Sequence, residues 1–172
     1  YRLNGIDYYD SFFILGAIAC RLFGKRVEFF LKRMQLKGVF NRVIQKYGRP
    51  DILYSHYLTN SYAALDLKKK YNLPLVAIEH WSQLNKDVLS NYVVWLGQST
   101  YSKCDAIISV SESLKQRLLQ HFQTNSTVVH NMVGTEFCGS YSKARLDGKI
   151  RFVSTGSLLY GKGYDLLIAA FD

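Results

Sequence analysis

Short apolar runs alternate with longer amphipathic segments along most of the chain. The apolar runs begin at Ile52, Leu75, Ala106 and Val128, and each is two to five residues long. Between them, apolar residues recur every three or four positions, which is the spacing of one helix face. Continuous apolar strands that alternate with helices predict a parallel sheet with helices on both faces, and therefore an α/β fold.

The same spacing predicts helices over 11–24, 26–47, 60–71 and 86–103, and a further helix that Ser111 begins. A serine at that position is a favourable N-cap because its hydroxyl accepts a hydrogen bond from the first turn. In the helix over 26–47 the apolar positions form two stripes that meet at Gly38. They are Val27, Phe30, Leu31, Met34, Val39, Phe40, Val43, Ile44 and Tyr47.

A polar, aperiodic stretch at 134–149 separates this region from a last apolar run, and we interpret it as a linker. Beyond it, Ile150, Phe152 and Val153 predict a strand, followed by a glycine-bearing turn and a helix around Leu166. The pattern is therefore an open α/β domain followed by the first strand–helix unit of a second domain.

The composition narrows the class of protein. An apolar content of 48% over 172 residues is typical of a globular core. Three widely spaced cysteines (Cys20, Cys104 and Cys138) indicate unpaired thiols and a reducing, cytoplasmic location. The longest apolar run, 12–20, is shorter than the roughly 20 residues of a membrane-spanning helix. The first residues lack a signal-peptide pattern and an initiator Met, so we expect a longer parent chain.

Positive charge is concentrated near the N-terminus. Of the net charge of +9, +7 falls within 20–46, where eight Lys and Arg residues are opposed by Glu28 alone. Two interpretations remain open, a solvated helix face and a patch that binds anionic lipid head groups. We expect no nucleic-acid partner because the region has neither a recognition motif nor interleaved stacking aromatics.

Polar side chains follow each of the predicted strands. Ligands of open α/β sheets bind beyond the carboxyl ends of the strands, so these side chains are candidate site residues. They are His56, Glu79, His80, Ser111, Asn131, Gly156, Ser157 and Lys162.

His80 is the strongest of these candidates, since it follows a buried strand and has a carboxylate beside it. A histidine there can donate to a substrate hydroxyl or stabilise developing charge. The alternative is a structural histidine bonded to a loop carbonyl. His56, His80 and Glu79 together could also ligate zinc, but we expect no metal because no further ligand follows at metal spacing.

The glycine turn combines Gly156 and Ser157 with Lys162. Free N–H groups, a helix dipole and a lysine favour a phosphate at this place. Residues 156–162 match the P-loop pattern G-x-x-x-x-G-K, but Gly163 stands where Ser or Thr would bind magnesium. We therefore predict a phosphate site of another design, with a P-loop nucleotide hydrolase as the weaker alternative.

Several segments together resemble the glycosyltransferases of GT-B architecture, in particular family 4. The similarity runs in order from residue 50 to the end of the chain. The segments are PDILYSH (50–56), LVAIEH (75–80), CDAIISVSES (104–113), VVHNMV (128–133), FVSTGSL (152–158) and KGYDLLI (162–168).

The resemblance implies a Rossmann-like parallel sheet, incomplete at both ends. Residues 1–133 would be an acceptor-side N-terminal domain, 134–149 an interdomain linker, and 150–172 the start of a donor-binding C-terminal domain. Such an enzyme moves a sugar, of hexosyl type and with retention of configuration, from a nucleotide-diphosphate sugar to a saccharide or lipid-linked acceptor. It needs no metal or other cofactor, serves polysaccharide or glycolipid synthesis, and often lies on the inner face of the plasma membrane.

The resemblance also implies roles for the candidate residues. His80 would be catalytic and approach the transferred sugar, while Gly156, Ser157 and Lys162 would bind the donor diphosphate. His56 would face the acceptor, and Glu79 and Asn131, which also lie at strand ends, are the further candidates for the acceptor site or the cleft.

Some positions depart from the family pattern. Ser157 replaces an arginine, Met132 replaces the glycine of a Pro-Asn-Gly turn, and Gly134 replaces an aspartate. The paired glutamates of the donor pocket would lie beyond Asp172, so we expect this stretch alone to be inactive. The alternative outside the enzymes is a basic, membrane-associated α/β binding module.

Overall fold

The computed structural model describes residues 2–3, 6–7, 25–135, 139 and 150–171. The predicted helix over 11–24 and most of the predicted linker lie outside these residues. The chain divides into two compact units, Tyr1–Met132 and Val133–Asp172.

The first unit contains a four-stranded parallel sheet, which confirms the predicted α/β fold class. Its strands lie in sequence order, with Ser55 opposite Ala77 and Glu79 opposite Ser109. A separate antiparallel pair, β1 and β2, lies near the N-terminus. The strands are β1 (Arg2–Leu3), β2 (Ile6–Asp7), β3 (Leu53–His56), β4 (Leu75–Glu79), β5 (Ala106–Ser109) and β6 (Thr127–Val128).

Within the described ranges, four α-helices connect or flank these strands. They are α1 (Lys25–Tyr47), α2 (Leu58–Tyr71), α3 (Asn91–Tyr101) and α4 (Glu112–Phe122). Ser111 caps α4 as predicted, since its Oγ accepts from the Leu114 N–H at 3.2 Å. The predicted start of α3 at residue 86 is wrong. A 3₁₀ turn at Ser82–Asn85 comes first, and α3 begins only where Ser90 caps it.

Helices cover one face of this sheet, so the prediction of helices on both faces is not met by the described residues. In β3, Leu53 and Ser55 are buried while Tyr54 and His56 are exposed. Strands in sequence order, joined by right-handed crossovers, place every connecting helix on the same side. The core therefore forms between that face and α2, α3 and α4. Its members include Leu58, Ala77, Leu96, Ile107, Leu114 and Leu118.

Helix α1 is one continuous helix, as predicted, but only part of the predicted stripe, Phe40 included, packs against the core. Phe29, Leu36 and Phe40 contact the core, whereas Phe30 and Met34 of the predicted stripe are 60% and 56% exposed. Apolar spacing identifies a helix but cannot distinguish two apolar faces of the same helix.

Two basic residues join α1 to α2 through one carboxylate, that of Asp66. Arg33 Nε donates to Asp66 at 2.8 Å, and Lys37 Nζ lies 3.0 Å from the same side chain. The hydrogen bond from Arg33 is the main reason that the pKa of Asp66 is lowered. Part of the basic region at 20–46 is therefore structural rather than available to a partner.

In the second unit, the strand predicted at Ile150 is absent. Residues 150–155 form no ladder with any other described segment, and a strand is stable only when a neighbour accepts its hydrogen bonds. Phe152 and Val153 are 70% and 89% exposed. A 3₁₀ turn at Tyr160–Lys162 and the short helix α5 (Tyr164–Ala169) follow, in the place where a helix was predicted.

Candidate active site

Two histidines meet at the carboxyl edge of the parallel sheet. His56 ends β3, and His80 follows Glu79 at the end of the neighbouring strand β4. His56 Nδ1 and His80 Nε2 lie 3.3 Å apart, and the two rings are nearly perpendicular. The sequence predicted that both would lie at this edge, and the pairing of β3 with β4 brings them into contact.

The hydrogen bond between the histidines requires at least one neutral ring, since two imidazolium ions have donors only. Burial, followed by the repulsion of His56, lowers the pKa of His80. The neutral form of His80 is therefore favoured at neutral pH. A neutral imidazole can both donate and accept, which suits contact with a sugar hydroxyl.

Two tyrosines that sequence reasoning missed surround the histidines. The Tyr57 ring lies against the His80 ring, with ring centroids 4.0 Å apart and the two planes tilted by 31°. The Tyr54 ring meets His56 edge-on at 5.0 Å. The alternation of β3 could have placed Tyr54 beside His56, because residues two apart share a face. Nothing in the sequence placed Tyr57 against His80.

Glu79 does not line the cleft, which corrects its prediction as an acceptor-side residue. Successive strand residues point to opposite faces, so Glu79 enters the core where His80 faces the edge. Its side chain is fully buried, and neither carboxylate oxygen has a hydrogen-bond partner among the described residues. Burial raises the pKa of Glu79 to about 8. Tyr101 is the polar neighbour that offsets this shift in part, and its own pKa is raised, chiefly by burial.

Asn131 lies away from the histidine pair. It is exposed and follows β6, three strands from β3. At about 4.8 Å per strand, β6 is about 14 Å from β3 and about 10 Å from β4, the strand that His80 follows. The preceding His130 pairs through Nδ1 with the Val110 carbonyl at 3.2 Å, which is a structural contact.

The predicted diphosphate residues Gly156, Ser157 and Lys162 belong to the second unit. The Ser157 carbonyl accepts from the Leu159 N–H at 2.8 Å, and the Lys162 side chain is exposed. Gly163 follows with φ 68°, a conformation that favours glycine. A Cβ at Gly156 would lie 2.8 Å from the Tyr164 hydroxyl, so a larger residue would displace that ring.

A cavity of about 470 Å³ opens beside His56 between α1, β3 and α2. Lys32, Gln35 and Asn60 supply polar groups to an otherwise mainly apolar lining. A larger cavity, of about 780 Å³, is lined by Pro74 and Asp105, which precede β4 and β5 and so mark the amino edge of the sheet. The smaller cavity is therefore the one that adjoins the histidines.

Two further observations concern metals and membranes. In the parts of the chain that the structure describes, no three His, Cys, Asp or Glu side chains are grouped so that they could hold a metal ion. Over the same described ranges, no helix has the length and apolar character needed to cross a membrane.

Comparison with known proteins places this architecture in a family. No curated protein matches the chain significantly. The sequence profile of Glycosyltransferase Family 4 matches residues 12–137, which is well over half of the 172 residues. The matched region includes the whole parallel sheet and both histidines. With its α/β sheet, and with the histidine pair at the edge where such sheets bind ligands, the chain belongs to Glycosyltransferase Family 4 and is a glycosyltransferase.

Proposed function

We propose that the enzyme transfers a hexosyl group from a nucleotide-diphosphate sugar to a saccharide or lipid-linked acceptor, with retention, in polysaccharide or glycolipid synthesis. The observation that supports this proposal is the His56–His80 contact beside a cavity of about 470 Å³. Transfer breaks the bond between the anomeric carbon and a diphosphate oxygen and forms a bond to an acceptor oxygen, which loses its proton.

His80 is the proposed contact to the transferred sugar. Its neutral ring donates to, or accepts from, a sugar hydroxyl, and such a bond holds the anomeric carbon in position for transfer. His56 fixes the Nε2 side of that ring at 3.3 Å. The acceptor enters next to His56, where Lys32, Gln35 and Asn60 provide hydrogen-bonding groups in a mainly apolar cavity.

The proposed diphosphate site consists of Gly156, Ser157 and Lys162. The glycine admits close approach of a phosphate to the backbone, and the exposed Lys162 ammonium offsets the charge that develops on the leaving diphosphate. Because this charge is supplied by the protein, we expect transfer without an added metal ion. Equal rates of sugar transfer before and after EDTA treatment would agree with this expectation. A rate that EDTA abolishes and only magnesium restores would contradict it.

The test of this function is Lys162→Ala in the full-length protein, assayed against a panel of nucleotide-diphosphate sugars. We expect kcat to fall by about 100-fold or more, as when a group that stabilises developing charge is removed. Lys69→Ala is the matched control, since Lys69 is also exposed but lies in the last turn of α2. If the wild type transfers sugar and Lys162→Ala has the same turnover, Lys162 is not part of the diphosphate site.

We also propose that α1 holds the enzyme to the cytoplasmic face of an anionic membrane. At 100° per residue, Lys32, Arg42 and Lys46 fall within 80° of one another around α1. Arg33 and Lys37 lie on a separate face, where Asp66 binds them. The side of α1 that carries Lys32, Arg42 and Lys46 is therefore distinct from the side that pairs with α2.

Sedimentation with phosphatidylserine vesicles tests this membrane contact. Reversing the charges of Lys32, Arg42 and Lys46 together should abolish pelleting at low salt. Reversing Lys69, Lys70 and Lys103 changes the net charge equally at exposed positions elsewhere and is the control. Equal loss in both variants would mean that only net charge matters, and that α1 has no special role.

A further inference from the structure

Tyr57 has a backbone conformation that its residue type disfavours. Its φ and ψ are 67° and 142°. Two other non-glycine residues in the described ranges have positive φ, Asn72 and Gln123, and both are ordinary left-handed helix caps. The combination at Tyr57 lies outside the left-handed well, near a region occupied almost only by glycine. Such strain persists only where neighbouring contacts enforce it.

Several hydrogen bonds enforce the conformation of Tyr57. Its N–H donates to the Ile78 carbonyl at 3.1 Å, and its carbonyl accepts from the N–H groups of Asn60 and Ser61 at 3.0 Å each. The Ser61 hydroxyl donates to the same carbonyl at 3.1 Å and lies 2.8 Å from the Ser55 hydroxyl. Ser61 is fully buried, so the turn is fixed from beneath by the core.

This turn changes the side to which the Tyr57 ring projects. His56 lies on the exposed face of β3, so an uninterrupted strand would send the next side chain toward the helices. Instead the Tyr57 ring lies against the ring of His80, with centroids 4.0 Å apart and planes tilted by 31°, and Tyr57 is 39% exposed. A glycine would satisfy this backbone without strain but would supply no ring.

We infer that Tyr57 is a positioning residue for His80. Its ring blocks rotation of the imidazole on one side, while His56 engages Nε2, and together they direct Nδ1 of His80 to the sugar. The strained turn exists to place that ring. This inference rests on the proposed contact between His80 and the transferred sugar.

The first test compares Tyr57→Gly with Tyr57→Phe, to distinguish the effect of the Tyr57 ring from that of the strained backbone. Tyr57→Gly relieves the backbone, so its urea midpoint should equal or exceed that of the wild type. Its kcat for sugar transfer should nevertheless fall, by about 100-fold if the sugar contact is misplaced by about 1 Å. Tyr57→Phe keeps the ring and should retain kcat within a few-fold. KM should change little in either variant, because Tyr57 acts through His80.

The second test is nuclear magnetic resonance of the His80 imidazole, which needs no substrate and no activity. Loss of the Tyr57 ring should move the His80 ring-proton resonances and raise the pKa of His80 toward its ordinary value, since burial is the main cause of its lowering. Tyr57→Phe should leave both unchanged. If the wild type transfers no sugar from any donor, the proposed function fails while this measurement still decides the role of Tyr57.

Gln123→Gly is the matched control, because it also relieves a positive φ, of 53°, but lies at the C-cap of α4. It should alter neither kcat nor the His80 resonances. If Tyr57→Gly unfolds more readily than the wild type, Tyr57→Leu replaces it, since leucine keeps a bulky side chain without a ring. Wild-type kcat and wild-type His80 resonances in a folded Tyr57→Gly or Tyr57→Leu protein would overturn the inference.

Discussion

The buried Glu79 carboxyl should make the enzyme less stable as the pH rises through neutrality. Its pKa is about 8 in the folded protein, against an ordinary value of 4.5. Below pH 4.5 the carboxyl is protonated in both the folded and unfolded states, and its contribution to stability is complete. Above that pH the unfolded chain releases the proton while the folded protein retains it. The contribution is therefore lost between about pH 4.5 and pH 8.

The size of this effect follows from the pKa shift. Each unit of difference corresponds to about 1.4 kcal/mol, so the free energy of unfolding should fall by about 1.4 kcal/mol per pH unit. Over the whole interval the loss is about 5 kcal/mol, which is comparable with the total stability of many domains.

The assay is urea unfolding of wild type and Glu79→Gln at several values between pH 5 and pH 8. Glutamine has the same shape and does not titrate, so the difference between the two proteins isolates this carboxyl. Between pH 5 and pH 8, the free energy of unfolding of the wild type should fall by about 4 kcal/mol relative to that of Glu79→Gln. The change of this difference with pH is a better measure than its value at any one pH, because a buried amide has its own unsatisfied donors. Glu112→Gln, at the exposed start of α4, is the control for removing one carboxylate.

A flat difference between wild type and Glu79→Gln would refute this reasoning. It would mean that Glu79 has the same pKa in the folded and unfolded states, and hence that water or a hydrogen-bond donor reaches the carboxylate. If the stability difference from wild type has the same pH dependence in Glu112→Gln and in Glu79→Gln, Glu79 is likewise not the cause of the pH effect.

Two further predictions concern packing and ion pairs. Gly97→Ala should lower the free energy of unfolding by about 1–3 kcal/mol, measured in urea, because the new Cβ would lie 2.1 Å from the Phe122 ring in a close-packed core. Asp66→Asn should cost about 1 kcal/mol at neutral pH by releasing Arg33 and Lys37 from α2. Since the pKa of Asp66 is lowered in the fold, this difference should disappear as the pH falls below 3.8.

The main elements of the fold could be predicted from the sequence because each has a local signal. Apolar runs located β3, β4, β5 and β6, and the serine at position 111 located the start of α4. The errors arose where the outcome depends on partners distant in the chain. The strand predicted at Ile150 does not form, because no described strand lies beside it. The packed face of α1 depends on Asp66 in α2.

The sequence predicts where in the sheet the candidate site lies, but not how its side chains are arranged. Strand ends located His56 and His80, and only the parallel register of β3 and β4 sets their distance of 3.3 Å. Tyr57 was not predictable, since a positive φ in a tyrosine contradicts its own preference. Such contradictions between local preference and structure are expected at functional positions.

Glu79 and His80 are adjacent in sequence, yet the strand alternation gives them separate physical roles. The strand buries Glu79 completely under the helices, at a cost in stability that depends on pH. The same alternation turns His80 toward the edge, where Tyr57 and His56 hold its ring. Substitutions at Glu79 should therefore act on the free energy of unfolding, and substitutions at His80 on sugar transfer. A stable but inactive Glu79→Gln enzyme would show instead that the buried carboxyl acts on the cleft through the end of β4, which His80 directly follows.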